Sequence, residues 1–116
     1  MMLDFDGRKY RLVLEDNSLA KGIAAQCPME LRLERFGGHE YYGTLDKLPD
    51  PSSARQTSVV RAGGVYYFDA MRAFSLVFRD ADIRPYSVHV IGQAEDRLAR
   101  ALAEAGNTVS IRLERE

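Results

Sequence analysis

Between Leu14 and Gly38 the hydrophobic period of the chain changes from two to helical and back to two, and that switch restricts the available folds more than any other feature. Asp16 and Asn17 are helix-capping residues, because their short side chains can accept from the unpaired amides of a first turn. Leu19 and Ile23 lie four apart, with Ala20 and Ala24 beside them, and give one narrow apolar stripe. Pro28 has no amide hydrogen and drives Cys27 from helical angles, so the helix is expected over 17–26. Beyond it Met29, Leu31 and Leu33 alternate with Glu30, Arg32 and Glu34, the signature of a half-buried strand. Gly37 and Gly38 then turn the chain.

The same two-residue period runs through most of the remaining chain. Leu3, Phe5, Tyr10, Leu12 and Leu14 alternate with charged residues around Asp6-Gly7, which predicts a hairpin over 2–15. A return strand is expected over 39–45. Pro49, Pro51, Ser52 and Ser53 mark a long loop over 46–56, expected outside the body of the fold and mobile. Residues 57–61 and 65–69 flank Gly63-Gly64 and predict a third hairpin. A strand over 73–79, a turn over 80–85 and a strand over 87–91 follow. Leu98 and Leu102 place a second helix over 94–105, stopped by Gly106-Asn107, and Val109, Ile111 and Leu113 alternate in a last strand.

With 116 residues the chain has the length of one domain, spanning 1–116, and can close a core without staples. The net charge is −1 and the basic residues alternate along strands instead of clustering, which argues against nucleic acid as a partner. No apolar run is long enough for a membrane span, and the early acids of Met-Met-Leu-Asp-Phe-Asp do not resemble a signal peptide, so no membrane partner is expected. Cys27 stands alone, which leaves no internal disulfide and points to a reducing cytoplasm. His39 and His89 lack the spacing of a metal pair; neither a metal nor another cofactor is expected.

The order of elements, two strands, a helix, about five strands, a helix and a strand, resembles that of the cyclophilin barrel. Leu14, Glu15, Asp16, Asn17, Ala20, Ala24, Ala25, Pro28, Leu31, Leu33, Gly37, Gly38 and Glu40 are similar to the pattern of one branch, the small prokaryotic cyclophilin-like proteins of unassigned function. The resemblance implies a mainly β protein: a closed eight-stranded antiparallel barrel with two short helices covering its ends. Three positions depart from the branch pattern: Ser18 opens the helix where proline is usual, Gly63-Gly64 replaces Gly-Asp, and Asp69-Ala70-Met71-Arg72 replaces a turn with proline and glycine.

The aromatic residues carry the remaining chemistry. Tyr41, Tyr42, Tyr66, Tyr67 and Phe68 lie on predicted strands, so about half should enter the core and the rest should face outward. Cross-strand ring pairing explains such a set without any ligand. The outer barrel wall is also where cyclophilins carry their peptide groove, and on that resemblance Tyr42, Tyr66, Phe68, Met71, Arg72 and Arg79 are candidate groove residues, with Arg72 or Arg79 as polar anchor. The expected partner is a peptide segment or small molecule. The alternative is a divergent peptidyl-prolyl isomerase, which needs an apolar seat for proline and a cationic donor. The chain has no tryptophan and no clear arginine, phenylalanine and glutamine cluster, so no catalytic residue is assigned.

Overall fold

In a computed structural model, which describes residues 1–115, the chain forms strands β1 (Met2–Phe5), β2 (Arg8–Leu14), β3 (Met29–Phe36), β4 (Glu40–Thr44), β5 (Gln56–Thr57), β6 (Val59–Val60), β7 (Gly64–Phe68), β8 (Ala73–Val77), β9 (Ala81–Asp82), β10 (Val88–Ala94) and β11 (Thr108–Glu114). Two helices, α1 (Ser18–Gln26) and α2 (Asp96–Ala103), interrupt them. Eight strands hydrogen-bond antiparallel in the order β2, β1, β11, β3, β4, β8, β7, β10. The barrel closes where Leu12 and Leu14 of β2 meet Ala94 and Gly92 of β10.

Alternation along each strand fills the interior. Leu3, Leu12, Leu33, Tyr41, Val65, Tyr67, Phe74, Leu76, Ile91, Ile111 and Leu113 belong to one buried cluster. α1 follows β2 and α2 follows β10, which end at opposite mouths of the barrel because the two strands are antiparallel. Leu19 and Ile23 close one mouth, and Leu98 and Leu102 the other. Leu31 is only half-buried at the margin of this cluster. Arginines from strand ends satisfy the last carbonyls of each helix. Arg35 donates to the Ala103 and Ala105 carbonyls, and Arg115 to those of Ala24 and Ala25.

Several expectations are corrected. The first helix starts at Ser18, with Asn17 alone as cap: its side chain accepts from the Ala20 amide at 2.8 Å. The second helix starts at Asp96, because Gln93 and Ala94 stay in β10 and pair with Val13 and Leu12. Residues 57–61 and 65–69 do not form a hairpin. β5 pairs with β10 and β6 pairs with β9, within the segment expected to be a turn, while β7 lies between β8 and β10. Residues 69–71 form a single 3-10 turn. The 46–56 loop runs over the surface as expected, yet it is tied to α1. Ser18 bonds Ser53, Gln26 Nε2 donates to the Lys47 carbonyl at 3.0 Å, and Ala54 enters the core.

No helix among the described residues is long and apolar enough to cross a membrane. Cys27 is buried and free, and burial pushes its thiol pKa up, the opposite of what a nucleophile requires.

Candidate ligand groove on the outer barrel wall

On the outer face of the barrel, Tyr42 of β4, Ser75 of β8 and Tyr66 of β7 form one cross-strand row. Their partners in the pleat, Tyr41 and Tyr67, point inward and are fully buried. Part of this outer wall carries a second apolar layer. Val60, Tyr66, Val77, Val88 and Val90 pack together, with Phe68, Ala81 and Ile83 at the margin. The short ladder of β6 and β9 lies across the wall as a strap and supplies Val60 and Ala81. Asp80 fixes the strap, its Oδ1 accepting from the Ala62 amide at 2.8 Å.

Tyr66 is held from two directions. Its ring folds back over Gly64, where a Cβ would stand 2.3 Å from the tyrosine oxygen and 2.4 Å from Cε2. Its hydroxyl accepts from the Arg61 amide at 3.1 Å. Only glycine at 64 lets the ring lie this low. Next to it, β10 shifts register between Val90 and Gly92, and β2 approaches so closely that a Cβ on Gly92 would lie 2.3 Å from the Val13 carbonyl oxygen. A bulge bends its strand locally.

A groove of about 400 Å³ lies between this part of the wall and the strap. Its apolar surface comes from Val13, Leu14, Val59, Tyr66 and Val90. Val13 and Val59 are 65% and 41% exposed and count among the few large apolar side chains left open to water. Arg55, Arg61 and Gln93 supply the polar groups. Glu15 also lines the groove, and its Oε1 accepts from Arg55 Nε at 2.9 Å. The arrangement combines an apolar bed with guanidinium groups, which suits binding.

The model of a cyclophilin-like family matches residues 3–114, nearly the whole chain. The chain belongs to the cyclophilin-like family. No curated protein matches the sequence. Among solved structures, the solution structure of a hypothetical protein from Archaeoglobus fulgidus is similar, with a TM-score of 0.66 and 20% identity. The alignment covers 99% of this chain and 92% of the archaeal one. At that identity the likeness shows the fold alone.

The cyclophilin-like barrel disperses the six residues selected from sequence. Tyr66 is the one that lines the groove. Tyr42 is half-buried on the same wall, edge-on to Phe36 at 6.0 Å between ring centroids. Phe68 packs edge-on against Tyr86. Met71 and Arg72 occupy the exposed β7–β8 turn. There Arg72 has φ 54°, and its carbonyl accepts from the Leu45 amide at 3.0 Å. Arg79 lies beyond the other end of β8, donating to the Gly38 carbonyl at 3.2 Å and covering the Phe78 ring. Neither Arg72 nor Arg79 lines the groove.

Sequence reasoning missed Val13, Arg55, Val59, Arg61 and Gln93. One signal was present. Val13 occupies an outward position of β2, between Arg11 and Glu15, where alternation calls for a polar residue.

Two other polar features mark the barrel. Glu40 is mostly buried on the outer wall, where its Oε2 accepts from Ser75 Oγ at 2.8 Å and lies 3.7 Å from His39 Nε2. Burial raises the Glu40 pKa, against the opposing effects of Ser75 and His39. Inside the barrel, the Tyr67 hydroxyl meets no hydrogen-bond partner of acceptable geometry. Burial first, and the nearby Asp69 carboxylate second, raise its pKa. No group of three or more His, Cys, Asp or Glu side chains placed to hold a metal ion occurs among the described residues.

Proposed function

We propose that this cyclophilin-like domain is a binding module that takes a peptide segment or small molecule in the outer-wall groove and does not isomerise prolines efficiently. The observation carrying this reading is the convergence of Val13 and Val59, both open to water, on a groove of about 400 Å³ beside Tyr66. That size falls within the range of small-ligand pockets, roughly 300–1,000 Å³. Tyr66, nearly fully buried, held low over Gly64 and bonded to the Arg61 amide, forms a rigid wall behind the exposed valines, so little of its side-chain freedom is lost on binding.

Prolyl isomerisation needs more than a seat. A fixed cationic donor must reach the imide nitrogen as its conjugation is lost. Arg55 Nε is already bonded to Glu15, and Arg61 extends into solvent with one long contact to Asp80 at 3.5 Å. Neither guanidinium is positioned by a second group in the way a transition-state donor requires.

The test pairs a protease-coupled assay on proline peptides with a binding screen of short apolar peptides by heteronuclear NMR. The expected result is a rate near the uncatalysed one, together with peptide-induced shifts in the groove that Val13→Asp abolishes. Isomerisation as fast as an ordinary cyclophilin, or binding indifferent to Val13→Asp, would overturn the reading.

A further inference from the structure

We propose that the groove selects an acidic apolar peptide segment: a carboxylate placed beside aliphatic side chains. This inference rests on the groove being the binding site and adds the class of ligand. The unused hydrogen-bonding capacity of the groove supports it. Among the described residues, the only side-chain hydrogen bond of Arg55 runs from Nε to Glu15, so both terminal nitrogens are open to a second acceptor. Among the described residues the Arg61 side chain makes one hydrogen bond, from Nη1 to Asp80 at 3.5 Å, the outer limit of such a bond. Both side chains are well exposed. A guanidinium fork left this open matches the two oxygens of a carboxylate.

The other polar groups are mostly committed. The Thr57 hydroxyl both donates to the Val59 carbonyl and accepts from the Val59 amide. Gln93 Nε2 donates to the Ala62 carbonyl at 3.2 Å, which leaves Oε1 to accept a ligand amide. Among the described residues Glu15 is the only acid lining the groove, and its Oε1 accepts from Arg55. The lining therefore carries two guanidinium groups against one carboxylate, and Asp80, just outside the lining, faces Arg61 only at 3.5 Å, so the donors of the groove outnumber the acceptors they are bonded to. A cationic ligand would have to compete with Arg55 for Glu15 and would lie against two guanidinium groups. A bare inorganic anion would leave Val13 and Val59 wet. A ligand that satisfies both surfaces has a carboxylate next to aliphatic carbon.

The test is fluorescence anisotropy with labelled peptides of one scaffold. The first is Gly-Leu-Glu-Leu-Gly, blocked at both ends, and the second is its glutamine counterpart. The third, Gly-Leu-Gln-Leu, has a free C-terminal carboxylate, and the fourth carries lysine in place of glutamate. One charge-assisted contact corresponds to about tenfold or more in affinity. The glutamate peptide or the free-carboxylate peptide should therefore bind about tenfold tighter than the neutral one, and which of them does so identifies the source of the carboxylate. Arg61→Gln and Arg55→Gln should each bring the ratio of carboxylate-peptide to neutral-peptide affinity down toward one. Glu15→Gln frees Arg55 and should tighten carboxylate binding, a gain that misfolding cannot imitate. Equal binding of all four peptides in the groove refutes the acidic preference and leaves the binding module intact. Preference for the lysine peptide reverses the inference. Binding by none of them, with no shift at Val13 or Val59, removes both readings.

Discussion

Gly64→Ala tests whether Tyr66 is held as described. The new Cβ would lie 2.3, 2.4 and 2.5 Å from Oη, Cε2 and Cζ of Tyr66, far inside van der Waals contact. The ring cannot yield inward, because it is 5% exposed and packed with Val60, Val77, Val88 and Val90. It must swing outward, which breaks the Arg61 amide bond and opens the layer beneath the strap. Forced overpacking costs about 1–3 kcal/mol and the lost hydrogen bond about 1 kcal/mol, so the loss should be about 2–4 kcal/mol. Urea unfolding measures it as a lower midpoint at unchanged slope. A double-mutant cycle isolates the cause. In a Tyr66→Ala background the new methyl has no ring to strike. Gly64→Ala should then be neutral, or stabilising by about 0.5 kcal/mol through reduced chain entropy. A cost below about 0.5 kcal/mol in the wild type, no more than an ordinary surface substitution, or the same cost in both backgrounds, which would show no coupling to the ring, would refute the account of how Tyr66 is held.

Two further predictions concern buried polar groups. Tyr41 and Tyr67 are both fully buried, but the Tyr41 hydroxyl donates to the Gly106 carbonyl and accepts from Arg35, whereas that of Tyr67 meets, among the described residues, no partner of acceptable geometry. Tyr41→Phe should therefore cost about 1–3 kcal/mol and Tyr67→Phe close to nothing; equal urea midpoints for the two variants would contradict the hydrogen-bond assignment. Glu40 is a carboxyl whose folded pKa is raised, chiefly by burial, so the folded state binds its proton more tightly than the unfolded chain does. Its penalty on stability grows as pH rises from the usual glutamate value through the raised one and stays constant above. Glu40→Gln can still accept from Ser75, so the advantage of the variant over wild type should rise through that window and then level off. A difference independent of pH in unfolding profiles would contradict it.

The barrel was legible because nearly every strand keeps one face apolar, as in Leu3 and Phe5, Leu31 and Leu33, or Val109, Ile111 and Leu113. The helices were legible from four-residue spacing, and their starts were less so. Gln93 and Ala94 have helix-compatible side chains, but pairing across the barrel with Val13 and Leu12 holds them in β10. The strap was hidden for a related reason. Val59-Val60 flanks the glycine pair as a hairpin strand would, yet its partner is Ala81-Asp82, some twenty residues away. No local period reports a pairing of that kind. The groove was less accessible still, because Val13, Arg55, Val59, Arg61 and Gln93 come together only after closure between β2 and β10 and folding of the strap. The tyrosine doublets indicated that about half of the rings would enter the core. They could not show that Tyr66 would be roofed by valines, or that Arg72 and Arg79 would fall at opposite ends of β8.

The most direct measurement of the central claim is a methyl and amide NMR titration of the intact chain with the blocked Gly-Leu-Glu-Leu-Gly peptide. The account predicts saturable shifts at the methyls of Val13, Val59 and Val90 and at the side-chain amide of Gln93, with Met71 and the Tyr42 region unmoved. Saturable shifts centred on Met71, Arg72 or Tyr42 with the groove valines silent would contradict it and place binding elsewhere on the barrel.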